Sequence, residues 1–505
     1  MIATVKSCGL SGIEGQIITI EVDFSGGLPA YDTVGLPDKS VTESRERVRA
    51  AIRNSGFSSP PCRIVVSLAP ADLKKEGALY DLPIALGILC ALGELPQEAL
   101  EGHMFVGELA LSGEIRPVRG ALSMAITARQ QGFSALVLPA ENGQEAACVE
   151  GLRVFPAKTL FGLCRALLGK EPLEEQPKTR WNGGEAPQGV DFSAIRGQYT
   201  AKRAAEIAAA GGHNLLLFGP PGSGKTMLAR AMPTILPALT FEEALEITRI
   251  ASAAENGQKG LVKTRPFVAP HHSASSISVV GGGAHARPGM ISLAHLGVLF
   301  LDEMPEFSRE TLEALRQPLE DGVITVSRVH ASLTYPARFM LVGAMNPCPC
   351  GNYGAEGAVC TCTAAQISRY RRRLSGPLLD RMDLFVSMQA VHYDDLHQKP
   401  AGEPSEAIRT RVEACRAVQR ERFQNAARCN AHMDQKEIER WCVLEKSARS
   451  LYQKEFDRRG MSGRGNARTL RVARTIADLA GSRFIGEEHL YEAMQYRSAD
   501  QWLGG

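Results

Sequence analysis

Long apolar runs are what this 505-residue chain most clearly lacks. No stretch reaches the ~18–20 residues needed to cross a bilayer, so no membrane partner is expected. The opening residues Met1-Ile2-Ala3-Thr4-Val5-Lys6-Ser7 lack the apolar block of a secretion signal, which sets a cytoplasmic expectation. An excess of one charge sign is missing too. Lys and Arg total 57 against 55 Asp and Glu, a net charge of +2. A globally basic body or tail is thereby excluded, and any nucleic-acid contact must come from local patches. Aromatics make up only 6%. Twelve cysteines without a secretory context point to reduced thiols and a metal site rather than a disulfide framework. The remainder is ordinary globular composition, 44% hydrophobic and 22% charged, in a chain long enough for two or three domains.

What is present is a complete phosphate-loop pattern, Gly219-Pro220-Pro221-Gly222-Ser223-Gly224-Lys225-Thr226. It follows the apolar run Asn214–Phe218 and precedes helix-forming Met227–Met232, the strand–loop–helix setting that the chemistry needs. Glycines let amide N–H groups curl around a polyphosphate, and the helix adds its positive end. Lys225 is expected on the β- and γ-phosphates, and Thr226 on Mg²⁺. A second motif, Gly297–Glu303, is a buried-strand run ending in Asp302 and Glu303. In a parallel sheet its carboxyl end faces the phosphate loop. Asp302 is then a Mg²⁺ holder, and Glu303 the carboxylate that polarises the attacking water. ATP and Mg²⁺ are the expected cofactors.

Proline, glycine and charge replace apolar periodicity from Glu171 to Pro187, which reads as a linker. Before it, Gln16–Asp23, Arg63–Leu68 and Ala135–Leu138 read as strands. Helices are predicted at Asp81–Leu92 and Leu122–Gln131, and from a capping pattern at Ser40 to about Asn54. Beyond the linker, Ala201–Ala210 and Arg309–Leu319 read as helices. The 77 residues from Lys225 to Asp302 exceed what one helix and one strand require. The excess, with Arg265, His271, His272, Gly281–Gly283 and Arg287, suggests an inserted hairpin with a glycine-rich tip. Gly322–Val326 and Ser332–Tyr335 suggest another, with Arg328 and His330 at its tip. After about residue 400 the chain reads as helices with basic faces.

Several of these stretches, with Val34–Val41, Pro270–Ser273, Asn346–Gly351, Ser375–Arg381 and Leu470–Leu479, together resemble the magnesium-chelatase-like AAA+ ATPases of the bacterial ComM/YifB family. The resemblance spans essentially the whole chain. It implies an α/β protein: a Lon-protease-like N-terminal α/β domain (1–170), a linker (171–190), a parallel α/β AAA+ core with insert hairpins (191–395) and a C-terminal helical lid (396–505). Asn346 resembles the first sensor that helps place the attacking water, and Arg468 the second sensor on the lid. Arg381 resembles an arginine finger reaching a neighbouring subunit's γ-phosphate, which implies a hexameric homo-oligomer. Lon's nucleophile and base positions fall on Leu79 and Met124, which can serve as neither, so peptidase activity is not expected.

Cys348, Cys350, Cys360 and Cys362 form two C-x-C pairs separated by nine residues. Four thiolates on one loop suit a structural Zn²⁺, although the spacing within each pair is tighter than the usual C-x₂₋₄-C, and packed thiols or a redox pair are the alternatives. The resemblance implies a ring-forming, ATP-dependent DNA motor (helicase or branch migration) acting on recombination intermediates in natural transformation. Its partner is single-stranded or branched DNA, contacted by Arg265, Arg287 and Arg328. The alternative is a chelatase-type motor that remodels a protein partner.

Overall fold

The computed structural model describes residues 2–25, 28–58, 62–179, 181–185, 189–254, 260–283, 287–327, 332–354, 359–390, 402–425, 427–459 and 461–497. They form two compact units, Met1–Asn182 with Ala244–Val262, and Gly183–Glu243 with Lys263–Gly505. Among the described residues no helix is long and apolar enough to cross a membrane.

The first unit is built on a seven-stranded mixed sheet. Its order is Ala30–Val34, Arg63–Ala69, Glu14–Ser25, Ala3–Ser11, His103–Phe105, Ala135–Pro139 and Arg153–Ala157. Ala3–Ser11 folds back antiparallel on Glu14–Ser25, with Ala3 opposite Val22 and Ser11 opposite Glu14. Alternate residues such as Ile18, Ile20 and Val22 enter the core, as a period of two demands. Helix Lys39–Asn54 starts one residue before Ser40, the predicted cap. Its cap is Asp38, which accepts the Val41 N–H at 2.8 Å from an extended backbone. Helix Asp81–Ala91 is buried on nearly every side, and its Asp81 carboxylate is held by Arg47 Nε at 2.8 Å and Nη2 at 3.1 Å. Met124 is fully buried and Leu79 packs against the same apolar cluster. The two positions thus carry core side chains and no nucleophile or base. Residues 244–262 belong to this unit: Arg249 Nη2 pairs with Glu14 at 2.8 Å, and the Gly120 N–H donates to Ser252 O at 2.9 Å.

The second unit has a five-stranded parallel sheet ordered Phe267–Val268, Val298–Leu301, Met340–Met345, Leu215–Phe218 and Leu384–Ser387. The central strands read LLLF, VLFL and MLVGAM and are buried throughout, as strands covered on both faces require. Phe218 lies opposite Met345 in register, so Gly219 and Asn346 leave the sheet side by side, and Asp302 leaves it from the strand next to Asn346's.

Three sequence expectations change here. Arg265–Val268 is no hairpin arm, because Phe267–Val268 pairs with Val298–Leu299 as the sheet's edge strand. The inserted hairpin shrinks to Gly281–Gly282 against Arg287–Pro288. The helix expected over Arg309–Leu319 is two short helices, Arg309–Ala314 and Arg316–Asp321, meeting at Leu315. Pro318 accounts for the break, since its ring would collide with the Ala314 carbonyl in a continuous helix. The second hairpin forms as predicted, Val323–Ser327 against Ser332–Pro336, with its tip residues Arg328 and His330 outside the described residues. The C-terminal part is helical, with Ser405–Phe423, Gly463–Leu479 and Glu487–Gln495 among its helices. Its arginines are largely engaged. Arg422 and Arg474 share the buried Asp478 carboxylate at 2.7 and 2.9 Å.

Candidate nucleotide site and cysteine centre

Gly219 comes straight off a buried strand, and a Cβ there would meet Met388 O at 2.1 Å, so no side chain fits. Gly222 and Gly224 take φ of +77° and +89°, which lets the loop curl before helix Lys225–Ile235 begins. Lys225 is 8% exposed, and its Nζ donates to Gly219 O at 2.7 Å, Pro220 O at 2.9 Å and Asn346 Oδ1 at 3.3 Å. Burial pulls this ammonium down to about 8, against the opposing pull of Asp302. Its neighbour Thr226 donates from Oγ1 to Asp302 Oδ2 at 2.8 Å. Residues 225, 226, 302 and 346, separated in sequence, therefore converge at the carboxyl ends of three adjacent strands. The hydroxyl and carboxylate form an oxygen-only donor set of the kind Mg²⁺ takes.

Glu303 has a left-handed backbone, φ +48°, and a half-exposed side chain. Its Oε2 lies 3.4 Å from His272 Nδ1. This corrects the reading of His271 and His272 as residues of an inserted hairpin. They occupy a turn after the edge strand, their ring centroids are 4.2 Å apart, and His272 faces the acidic motif. The sequence shows the two histidines but not the distance that gives one of them a partner 31 residues on.

The two sensor-like and finger-like arginines lie elsewhere. Arg381 is held within its own chain, donating to Pro377 O at 2.6 Å and pairing with Glu320, while its Nε is buried without a hydrogen-bond partner. Arg468, on Gly463–Leu479, is 7% exposed and approaches Asp380 Oδ1 at 3.7 Å. Pro377, Glu320 and Asp380 all lie outside the phosphate loop. Of the basic residues proposed as a DNA surface, Arg265 drops out: Nε donates to Pro237 O at 2.7 Å, Nη1 to Leu296 O at 2.8 Å, and Nη2 pairs with Glu243 at 2.8 Å. It braces the sheet edge. Arg287 is exposed.

The four cysteines of the Asn346 loop gather. Their sulfurs all lie within 4.8 Å of one another, with Cys348–Cys350 at 3.4 Å and Cys360 at 3.7 Å from both. Cys348 is fully buried, its sulfur accepts the Tyr353 N–H at 3.4 Å, and all four are free of disulfides. The loop rests on the phosphate loop, since a Cβ on Gly351 would meet Pro221 Cδ at 2.7 Å.

Comparison with known proteins matches this arrangement to one family. Residues 191–396 match the family described as magnesium chelatase, subunit ChlI; 20–142 match subunit ChlI of Mg-chelatase; and 402–497 match the ChlI C-terminal family. The chain is 45% identical over 505 residues to the competence protein ComM of Haemophilus influenzae, covering 98% of this chain and 97% of that protein. It is 47% identical over 495 residues to YifB of Escherichia coli, covering 97% and 96%. Similarity to the magnesium-chelatase 38 kDa subunit of Rhodobacter capsulatus is 30% over 177 residues, covering 31% of this chain and 50% of that one.

Proposed function

The chain belongs to the ComM/YifB family of magnesium-chelatase-like AAA+ proteins, and on that premise we propose that it is a ring-forming ATPase that drives branch migration or unwinding of DNA in recombination intermediates during natural transformation. The observation that carries the reading is the convergence of Lys225, Thr226, Asp302 and Asn346 around a glycine loop, in a chain that matches a competence protein end to end.

ATP is the substrate. Loop amides and the Lys225–Ile235 helix end receive its phosphates, and Lys225 exchanges the carbonyls of Gly219 and Pro220 for phosphate oxygens. Thr226 and Asp302 hold Mg²⁺, which neutralises developing charge when bound. Glu303 takes the proton of the attacking water, Asn346 orients that water, and Arg381 serves the site of an adjacent subunit in a hexamer. Arg468 reads the nucleotide from the lid. Zn²⁺ would be held by the four thiolates of the cysteine centre: Zn–S bonds of about 2.3 Å imply sulfurs about 3.8 Å apart, close to the 3.4–3.7 Å among Cys348, Cys350 and Cys360, with Cys362 within 4.8 Å.

The test is steady-state hydrolysis with a panel of activators. Single-stranded or four-way-junction DNA should raise the rate several-fold, in a salt-sensitive and sequence-independent way. Stimulation by an unfolded protein and none by any DNA would instead favour the protein-remodelling reading, whose support is the partial match to magnesium-chelatase subunits.

A further inference from the structure

The end of the parallel sheet opposite the phosphate loop carries a second concave surface. The amino ends of three strands form its floor through Gly212, Gly297 and Met340, and helix Ser405–Phe423 with the 427–432 segment forms its wall. Four arginines line it, Arg265, Arg338, Arg416 and Arg420, against a single carboxylate, Glu243. That carboxylate is spent, because it pairs with Arg265 at 2.8 Å and accepts the Thr240 N–H at 3.0 Å. Arg338, Arg416 and Arg420 are left with no carboxylate partner among the described residues. Arg416 spends Nε and Nη2 on one backbone oxygen, Ala209 O, at 3.2 and 2.8 Å, and among the described residues Nη1 has no hydrogen-bond partner. Burial and the like charges of Arg265 and Arg420 pull Arg416 down to about 10. Burial and the charges of Arg416 and Arg338 hold His432, in the same wall, at about 4, so it is neutral at physiological pH and subtracts nothing.

The partly buried Arg416 guanidinium is costly to hold without an anion, the exposed Arg338 and Arg420 stand at the mouth of the same cleft, and planar guanidinium forks match tetrahedral oxyanions. We propose that this cleft is a second anion site, distinct from the nucleotide site, which binds a phosphate-type oxyanion between Arg338, Arg416 and Arg420. The anion bridges the sheet, through Arg338, to helix Ser405–Phe423, through Arg416 and Arg420. Its source is either a small free phosphate or one phosphate of a nucleic-acid backbone. The assignment does not depend on the proposed DNA-motor function.

Pyrophosphate is the probe, titrated calorimetrically into the full chain carrying Lys225→Ala so that the phosphate loop is silent. One pyrophosphate per chain is expected. Adding Arg338→Glu and Arg420→Glu, both exposed positions, should weaken it at least tenfold at an unchanged thermal midpoint. Should that variant misfold, phenylglyoxal labelling of the Lys225→Ala chain gives the same answer: pyrophosphate should protect Arg338, Arg416 and Arg420. Displacement of pyrophosphate by a short single-stranded oligonucleotide assigns the nucleic-acid source, and failure to displace it assigns the small anion. No binding, or affinity and labelling indifferent to these arginines, overturns the site.

Discussion

Lys225 is poised with its ammonium stripped of water and its proton held loosely, at about 8. Phosphate binds the charged form and restores its proton affinity, which fixes the sign of a pH effect. ATP affinity should be flat below about pH 8 and fall above it, approaching tenfold per pH unit until the bound-state pKa is reached. Fluorescent-nucleotide titrations from pH 6.5 to 9.5 check this, with Lys225→Arg, whose charge persists, as the flat control. A flat wild-type profile to pH 9.5 would show that the lysine is not desolvated. Residues of this kind were legible because the loop is contiguous in sequence and its chemistry is written into its glycines. His272 was not legible, since its meaning is a 3.4 Å approach to Glu303 that no spacing encodes. Arg265 misled for a related reason: a basic residue beside Pro266 looks like a surface group until its three carbonyl and carboxylate partners are seen.

At the scale of elements, the cysteine loop ties the end of one strand to the phosphate loop. It begins two residues after Asn346, and Gly351 sits against Pro221. Purified protein should therefore carry about one zinc per chain. Cys360→Ser with Cys362→Ser should lose the metal and slow ATP hydrolysis at least tenfold, roughly 1.4 kcal/mol of lost transition-state stabilisation. Elemental analysis with thiol counting checks it, and less than half a zinc per chain with all four thiols reduced would contradict the assignment. Strands and long helices were readable from apolar periodicity, as Gln16–Asp23 and Ala201–Ala210 illustrate within Glu14–Ser25 and Tyr199–Gly211. Misread elements were those decided by one local interaction. Asp38 outcompetes Ser40 as a cap, Pro318 splits a helix, and Phe267–Val268 becomes a strand only by pairing with Val298–Leu299.

For the whole molecule, a single chain leaves the finger-like arginine engaged with its own Glu320 and Pro377, neither of them part of the phosphate loop. That placement suits a group whose reacting partner lies on another subunit. Arg381→Ala and Lys225→Ala chains should each be nearly inactive alone, yet regain hydrolysis when mixed before assembly. In the mixture an intact finger from the Lys225→Ala chain faces an intact loop in the Arg381→Ala chain. No recovery at any ratio would place Arg381's role within its own chain. The ring and its DNA substrate are statements about surfaces between molecules, which one sequence conveys only through family likeness.

The central claim is that hydrolysis at this site moves DNA, and the most direct measurement follows a labelled four-way junction as it is converted to duplex products. With ATP the wild-type chain should resolve the junction by branch migration. Glu303→Gln should bind ATP and the junction without converting it, and ADP should support no conversion. Junctions left unmigrated by a wild-type protein that is hydrolysing ATP, or migrated equally well by Glu303→Gln, would contradict the account.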